Sequence, residues 1–170
     1  MGTLKVVTYP DEFLRQPTRP VETIDEKIQD IIEQMAETMY EAPGIGLAAN
    51  QVGLNYSLIT YDVSPTDEHN LQVLINPEII SREGSIVSED EGCLSVPGLR
   101  AHVKRAEKVS VKGLDREGNP VSIEADGLLA IVLQHEIDHL HGTLFIDHIS
   151  PLKRKLYAQR VKKKLKRQSK

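Results

Sequence analysis

Between residues 28 and 39 apolar side chains return every three or four positions: Ile28, Ile31, Ile32, Met35, Ala36 and Met39. That is the repeat of one helix face, with Asp25 placed to cap its start and Pro43-Gly44 to end it. The pattern then changes. Residues 58–63, 71–75 and 109–113 are β-branched or alternating runs separated by Pro, Gly and charged residues, which predicts strands. Residues 115–119 predict a hairpin turn into a further strand over 120–125. A dense apolar run, Leu128, Leu129, Ile131, Val132 and Leu133, then leads into Gln134-His135-Glu136-Ile137-Asp138-His139-Leu140, read as one helix. Before all of these, residues 4–9 and the prolines Pro10, Pro17 and Pro20 predict an extended strap with one helical turn over 11–15. From Pro151 onward, Leu152, Leu156, Ala158 or Gln159, and Leu165 mark a weakly amphipathic helix.

The helix over 134–140 carries chemistry. Residues four apart stack on one helix face, so His135 and His139 can offer both imidazoles to one cation. Glu136 is turned about 100° from His135 around the axis, toward a water on the metal rather than the metal itself. This is the HExxH arrangement of hydrolytic metalloenzymes. Its usual third ligands are absent: Gly142 fits the longer HExxHxxGxxH form, but Phe145 stands where the third His belongs, and no Glu follows Glu136. The residues leave Asp147, His141, His148 and the single cysteine, Cys93, as candidates. Leu128, Ile131 and Val132 precede His135 by seven, four and three positions, so they share its face and should line an apolar slot beside the metal.

Charge separates the chain into two parts. The net charge is −4, but residues 151–170 hold ten of the 21 basic residues and none of the 25 acids. That makes the tail +10 and residues 1–150 −14. A length of 170 residues with 39% hydrophobic content supports one catalytic domain over 1–150, with 151–170 as a basic helix of the same domain. No apolar run approaches a membrane span, no signal-peptide core opens the chain, and the lone cysteine suits a reducing compartment. A cytoplasmic monomer is expected.

Two further stretches complete the picture: Gly44-Ile45-Gly46-Leu47-Ala48-Ala49-Asn50-Gln51, where glycines permit close backbone approach, and Glu91-Gly92-Cys93-Leu94-Ser95-Val96-Pro97. Taken alone, the first reads as a turn leading to a strand and the second as the surroundings of a buried cysteine. In this order with QHEIDH, they resemble the three motifs of the peptide deformylases, and the resemblance runs from Val6 into the basic tail.

That resemblance implies an α+β fold: antiparallel strands wrapped around a central HExxH helix, with an N-terminal helix and a C-terminal basic helix. It implies a metal held by Cys93, His135 and His139, natively iron(II), with zinc, nickel or cobalt as substitutes. It implies removal of the formyl group from the N-terminal formylmethionine of nascent polypeptides, with release of formate. Water is then the nucleophile, Glu136 the general acid/base, and the Gln51 side chain and Leu94 N–H the stabilisers of the developing oxyanion. Gly46 would bond the peptide backbone, Ile45 and Arg100 would join the substrate pocket, and Glu91 would lie near its rim. Glu89 departs from the apolar residue that relatives can carry there. The basic helix is expected to dock on ribosomal RNA. Two other readings of the residues are a metallopeptidase with Asp147 as third ligand and an RNA-binding module with a structural metal.

Overall fold

Asp25 starts the first helix: its carboxylate accepts a hydrogen bond from Ile28 N at 3.1 Å. The helix, α1, spans Glu26–Glu41 in a computed structural model that describes residues 2–169. Its repeating face is buried as expected, with Ile32, Met35 and Met39 fully covered. At about 1.5–3 kcal/mol per large apolar side chain, that face fixes the helix against its neighbours.

Five strands form one antiparallel sheet: β1 (Gly46–Ala48), β2 (Leu58–Tyr61), β3 (Gln72–Glu83), β6 (Lys108–Leu114) and β7 (Pro120–Asp126), in the order β1-β2-β3-β6-β7. Two more strands, β4 (Ile86–Cys93) and β5 (Val96–Arg105), form a separate antiparallel ribbon closed by Leu94-Ser95, with Cys93 opposite Val96. The second helix, α2 (Gly127–Leu140), packs against β1, β2, β3, β6 and β7. The third, α3 (Pro151–Gln168), is capped by the Ser150 hydroxyl, which accepts from Lys153 N at 3.2 Å.

The expected strands and helices are present, with four corrections. The strand expected to stop at Ile75 continues to Glu83. Asn76 takes a left-handed conformation at a register shift, and its amide pairs with Val21 N and O at 2.8 and 3.0 Å. The Asn-Pro turn signal is thus spent on a bulge rather than on a stop. The β4–β5 ribbon lies outside the runs that predict strands. Shifts of register between Ser88 and Glu91 and between Glu91 and Cys93 break the alternation on which a strand reading depends. Residues 49–52 form a short 3₁₀ turn after β1. On α3, Leu152, Leu156 and Leu165 are 66%, 56% and 47% exposed, and the buried residue is Tyr157.

The N-terminal strap ties distant parts together. Val7 N donates to Gln51 O at 2.6 Å, Tyr9 N to Ser95 O at 2.7 Å, and Thr18 N to Leu140 O at 2.9 Å. Its helical turn, Glu12–Arg15, presents Arg15 to Asp147 at 2.6 Å. Gly142, with φ +79°, meets the Arg15 carbonyl so closely that a Cβ there would overlap it. Packing against the strap, rather than metal binding, accounts for that glycine.

Candidate metal centre

Helix α2 is apolar on nearly all sides, so its polar residues are buried with it: Gln134, His135, Glu136 and His139 are each 8% exposed or less. The fold brings the end of β4 against them. Cys93 Sγ lies 3.3 Å from His139 Nε2, and the ligand atoms of Cys93, His135 and His139 all fall within 4.8 Å of one another. The two imidazole planes are inclined by 63°. Asp147, the rival third ligand, is engaged elsewhere by both Arg15 nitrogens, at 2.6 and 3.1 Å, and by Leu144 N at 3.0 Å. His148 bonds to Asp138. Among the described residues, Cys93, His135 and His139 are the one such grouping.

The donor set fits a divalent transition metal: one soft thiolate and two imidazoles suit iron(II) or zinc. Partner accounting agrees. Among the described residues, the buried side-chain atoms without a hydrogen bond are Asn50 Oδ1, His139 Nδ1, which is the ring nitrogen other than the one facing Cys93, and Glu136 Oε1. Gln134, equally buried, is fully paired with Ala106 N and O at 2.9 Å each. Gln134 is therefore structural, whereas Glu136 keeps acceptor capacity for something that enters.

Behind the cluster lies a charged relay. His135 Nδ1 donates to Glu91 Oε1 at 2.6 Å, which leaves Nε2 for a metal. Arg105 grips both Glu91 oxygens, one through Nη2 and the other through Nε at 3.3 Å. Arg105 Nη1 donates to Asp138 Oδ2 at 2.8 Å, and His148 Nε2 reaches the same oxygen at 2.9 Å. Burial alone would raise the Glu91 pKa, but the bonds from His135 and Arg105 outweigh it and bring it down to about 2. Asp138 is lowered in the same way, burial being overcome by His148 and Arg105. Glu136 has no such donors. Burial pushes it up to about 7. His139, fully covered, is held well below the ordinary imidazole value, chiefly by burial.

A cleft of about 670 Å³ opens in front of the cluster. Ile45 and Leu128 stand at its mouth, 47% and 53% exposed, while Ile131 and Val132 line it beside His135. Leu94 and Arg100 are also on its wall. Gln51 is 1% exposed. Its Oε1 accepts from Ala48 N at 2.9 Å, which turns Nε2 toward Ser95 Oγ at 3.1 Å and Cys93 Sγ at 3.5 Å. A Cβ on Gly46 would lie 2.5 Å from Glu136 Oε2 and 2.9 Å from its Cγ, so the glycine makes room for that carboxylate. Glu91, expected near the rim, is buried at 8% exposure under His135. Arg105, Asp138 and Ser95 escaped the sequence reading. Asp138 lies inside the HExxH run and so had a positional signal, but a single Arg among alternating residues has none.

A family model described as Polypeptide deformylase matches residues 3–155. A curated relative from Desulfosudis oleivorans named peptide deformylase is 54% identical over 167 residues, covering 98% of this chain and 96% of that protein. The crystal structure of a peptide deformylase from Legionella pneumophila superposes with a TM-score of 0.90 at 48% identity, covering 99% and 98% of the two chains. A peptide deformylase from Ehrlichia chaffeensis, crystallised in complex with actinonin, gives a TM-score of 0.90 at 39% identity, covering 96% of this chain and 98% of that one.

Proposed function

The chain belongs to the polypeptide deformylase family, whose members remove the formyl group from nascent peptides, and on that basis we propose how its own residues carry out the reaction. Cys93, His135 and His139 hold one divalent metal ion, natively iron(II), for which zinc, nickel or cobalt substitutes. When bound, the ion supplies Lewis acidity to the formyl oxygen and to a water.

Glu136 takes a proton from the attacking water as its oxygen bonds to the formyl carbon. It then passes a proton to the departing nitrogen as the C–N bond breaks. Formate and a free amino terminus leave. The observation that carries this reading is the partnerless, buried Glu136 Oε1 beside the Cys-His-His cluster. Gln51 Nε2, its amide fixed by Ala48 N, and the Leu94 N–H donate to the oxygen as it gains charge. The methionine side chain enters between Ile45, Leu128, Ile131 and Val132, the Gly46 backbone pairs with the peptide, and Arg100 lies against it at the rim. Glu91 acts through His135, as a positioning residue rather than at the rim.

Cys93→Ala tests the ligand set. Metal content should fall below one ion per chain and formate release should disappear. A variant that retains both would move the third ligand elsewhere.

The outward face of α3, with Lys155, Lys162, Lys163 and Lys166 all exposed, docks on ribosomal RNA phosphates. The protein then works as a cytoplasmic monomer; no described helix is long and apolar enough to cross a membrane. Deletion of 151–170 would also remove buried Tyr157, so substitution is the cleaner test. Replacing Lys162, Lys163 and Lys166 by Gln should weaken ribosome binding and flatten its salt dependence. Unchanged affinity would contradict the docking.

A further inference from the structure

Helix α3 has a second attachment, on the side turned to the body. Tyr157 Oη donates to Pro97 O at 2.9 Å, and Arg160 Nη2 donates to Gly98 O at 2.9 Å. Two successive carbonyls are thus held by two residues one helical turn apart. The Arg160 guanidinium sits 5.2 Å from the Tyr157 ring centroid, so the two donors brace each other. Tyr157 itself is 3% exposed, packed in a cluster with Val96, Val103, Phe145 and Ile149.

The segment they hold is a wall of the cleft. Val96, Gly98, Leu99 and Arg100 line it, and Val96 is the cross-strand partner of Cys93. The wall needs outside support for a topological reason. Among the described residues, strands β4 and β5 form a two-stranded ribbon without a third strand to fix its far edge, and such ribbons are marginal alone. Pro97 and Gly98 are exposed, and Pro97 has no N–H with which to anchor itself. The methionine slot between Leu128, Ile131 and Val132 occupies one part of the cleft. The wall at Leu99 and Arg100 bounds the remainder, where the peptide that follows methionine must run.

We propose that Tyr157 and Arg160 are positioning residues for the peptide substrate, fixing the Pro97–Gly98 carbonyls so that Leu99 and Arg100 meet the residues after formylmethionine. The inference rests on the deformylase reading. It gives α3 two working faces, one for the substrate wall and one for polyanions.

The test compares two substrates, a formylmethionyl tetrapeptide and formylmethionine amide, using the metal-loaded full chain. Arg160→Ala and Tyr157→Phe, which keeps the buried ring, should each raise KM for the tetrapeptide by about 3- to 10-fold, with kcat within about twofold. The amide, which has nothing to lay against the wall, should be unaffected. Arg160→Lys, still able to donate to Gly98 O, should recover most of the tetrapeptide KM. Equal losses on both substrates, losses confined to kcat, or no change in either variant would overturn the proposal. If the unaltered protein released formate from neither substrate, the deformylase reading would be what failed.

Discussion

Helix α2 buries nine of its 14 residues and α3 one of its 18, and the contrast decides how each can be read. In α2 a polar side chain has left water, so it must be paired or it must have work to do. Gln134 is paired through both ends of its amide. Glu136 and His139 each keep a partnerless buried atom among the described residues. Hydrogen-bond accounting therefore separates Gln134 from Glu136, whereas His135, bonded to Glu91, is marked by its place beside Cys93 and His139. In α3 the same accounting says little, because Lys and Arg are satisfied by solvent wherever they point. What distinguishes Arg160 from the neighbouring lysines is its acceptor, Gly98 O.

The contrast is broken most severely at the relay behind α2. Arg105→Leu removes the guanidinium that Glu91 and Asp138 share, leaving His135 as the remaining partner of the buried Glu91 and His148 as that of the half-buried Asp138. Removing one partner of a buried pair costs about 3–5 kcal/mol, and a Glu91 no longer held by Arg105 orients His135 less firmly, which lowers metal affinity by about 10-fold or more. Denaturant unfolding and metal competition should report both. Stability within 1 kcal/mol of the parent protein would show that the relay is dispensable. Replacing exposed Lys163 by Gln should, by contrast, stay within about 0.5 kcal/mol.

A smaller effect is expected at Gly46→Ala. The new methyl group displaces Glu136 rather than any metal ligand, so kcat should fall by roughly 10- to 100-fold while metal content holds. Loss of metal in step with kcat would mean that the glycine serves the whole cluster and not the base alone.

The smallest effect lies away from both helices. Burial raises the Asp62 pKa, but bonds from Ser64, Tyr40 and Asn70 overcome it and hold the carboxyl far below its ordinary range. With a depressed folded-state pKa, the stabilisation is complete above about pH 4 and is lost as pH falls further. Asp62→Asn should flatten the acid side of the stability curve and leave the slope near neutrality unchanged. An unaltered acid limb would contradict this.

The candidate site on α2 was legible from sequence because periodicity and motif coincide there: the helix that stacks His135 and His139 on one face also buries them. The place of Cys93 beside His135 and His139, on which its proposed role as third ligand rests, was not legible from spacing. The cysteine arrives through the β4–β5 ribbon, whose bulges around Asp90, with φ +56°, erase the strand pattern. The roles proposed for Gln51 and Gly46 come only from the family resemblance. The glycine's reason, the approach of Glu136 from 90 positions along the chain, is a tertiary fact. For α3 the range was legible but the docking face was not. Leucines suggested one face, while an amphipathic tyrosine and an arginine stem, able to bury an apolar body and keep a polar tip bonded, made the other.

The central claim is that Glu136 moves the protons while Cys93, His135 and His139 hold the metal. Formate release from a formylmethionyl tripeptide, followed without oxygen in iron(II)-loaded protein and in its Glu136→Ala variant, tests it most directly. The account predicts turnover by the parent protein and a loss of about 10²- to 10⁴-fold in a variant that still carries one metal per chain. A metal-replete Glu136→Ala protein that releases formate at the parent rate would contradict it.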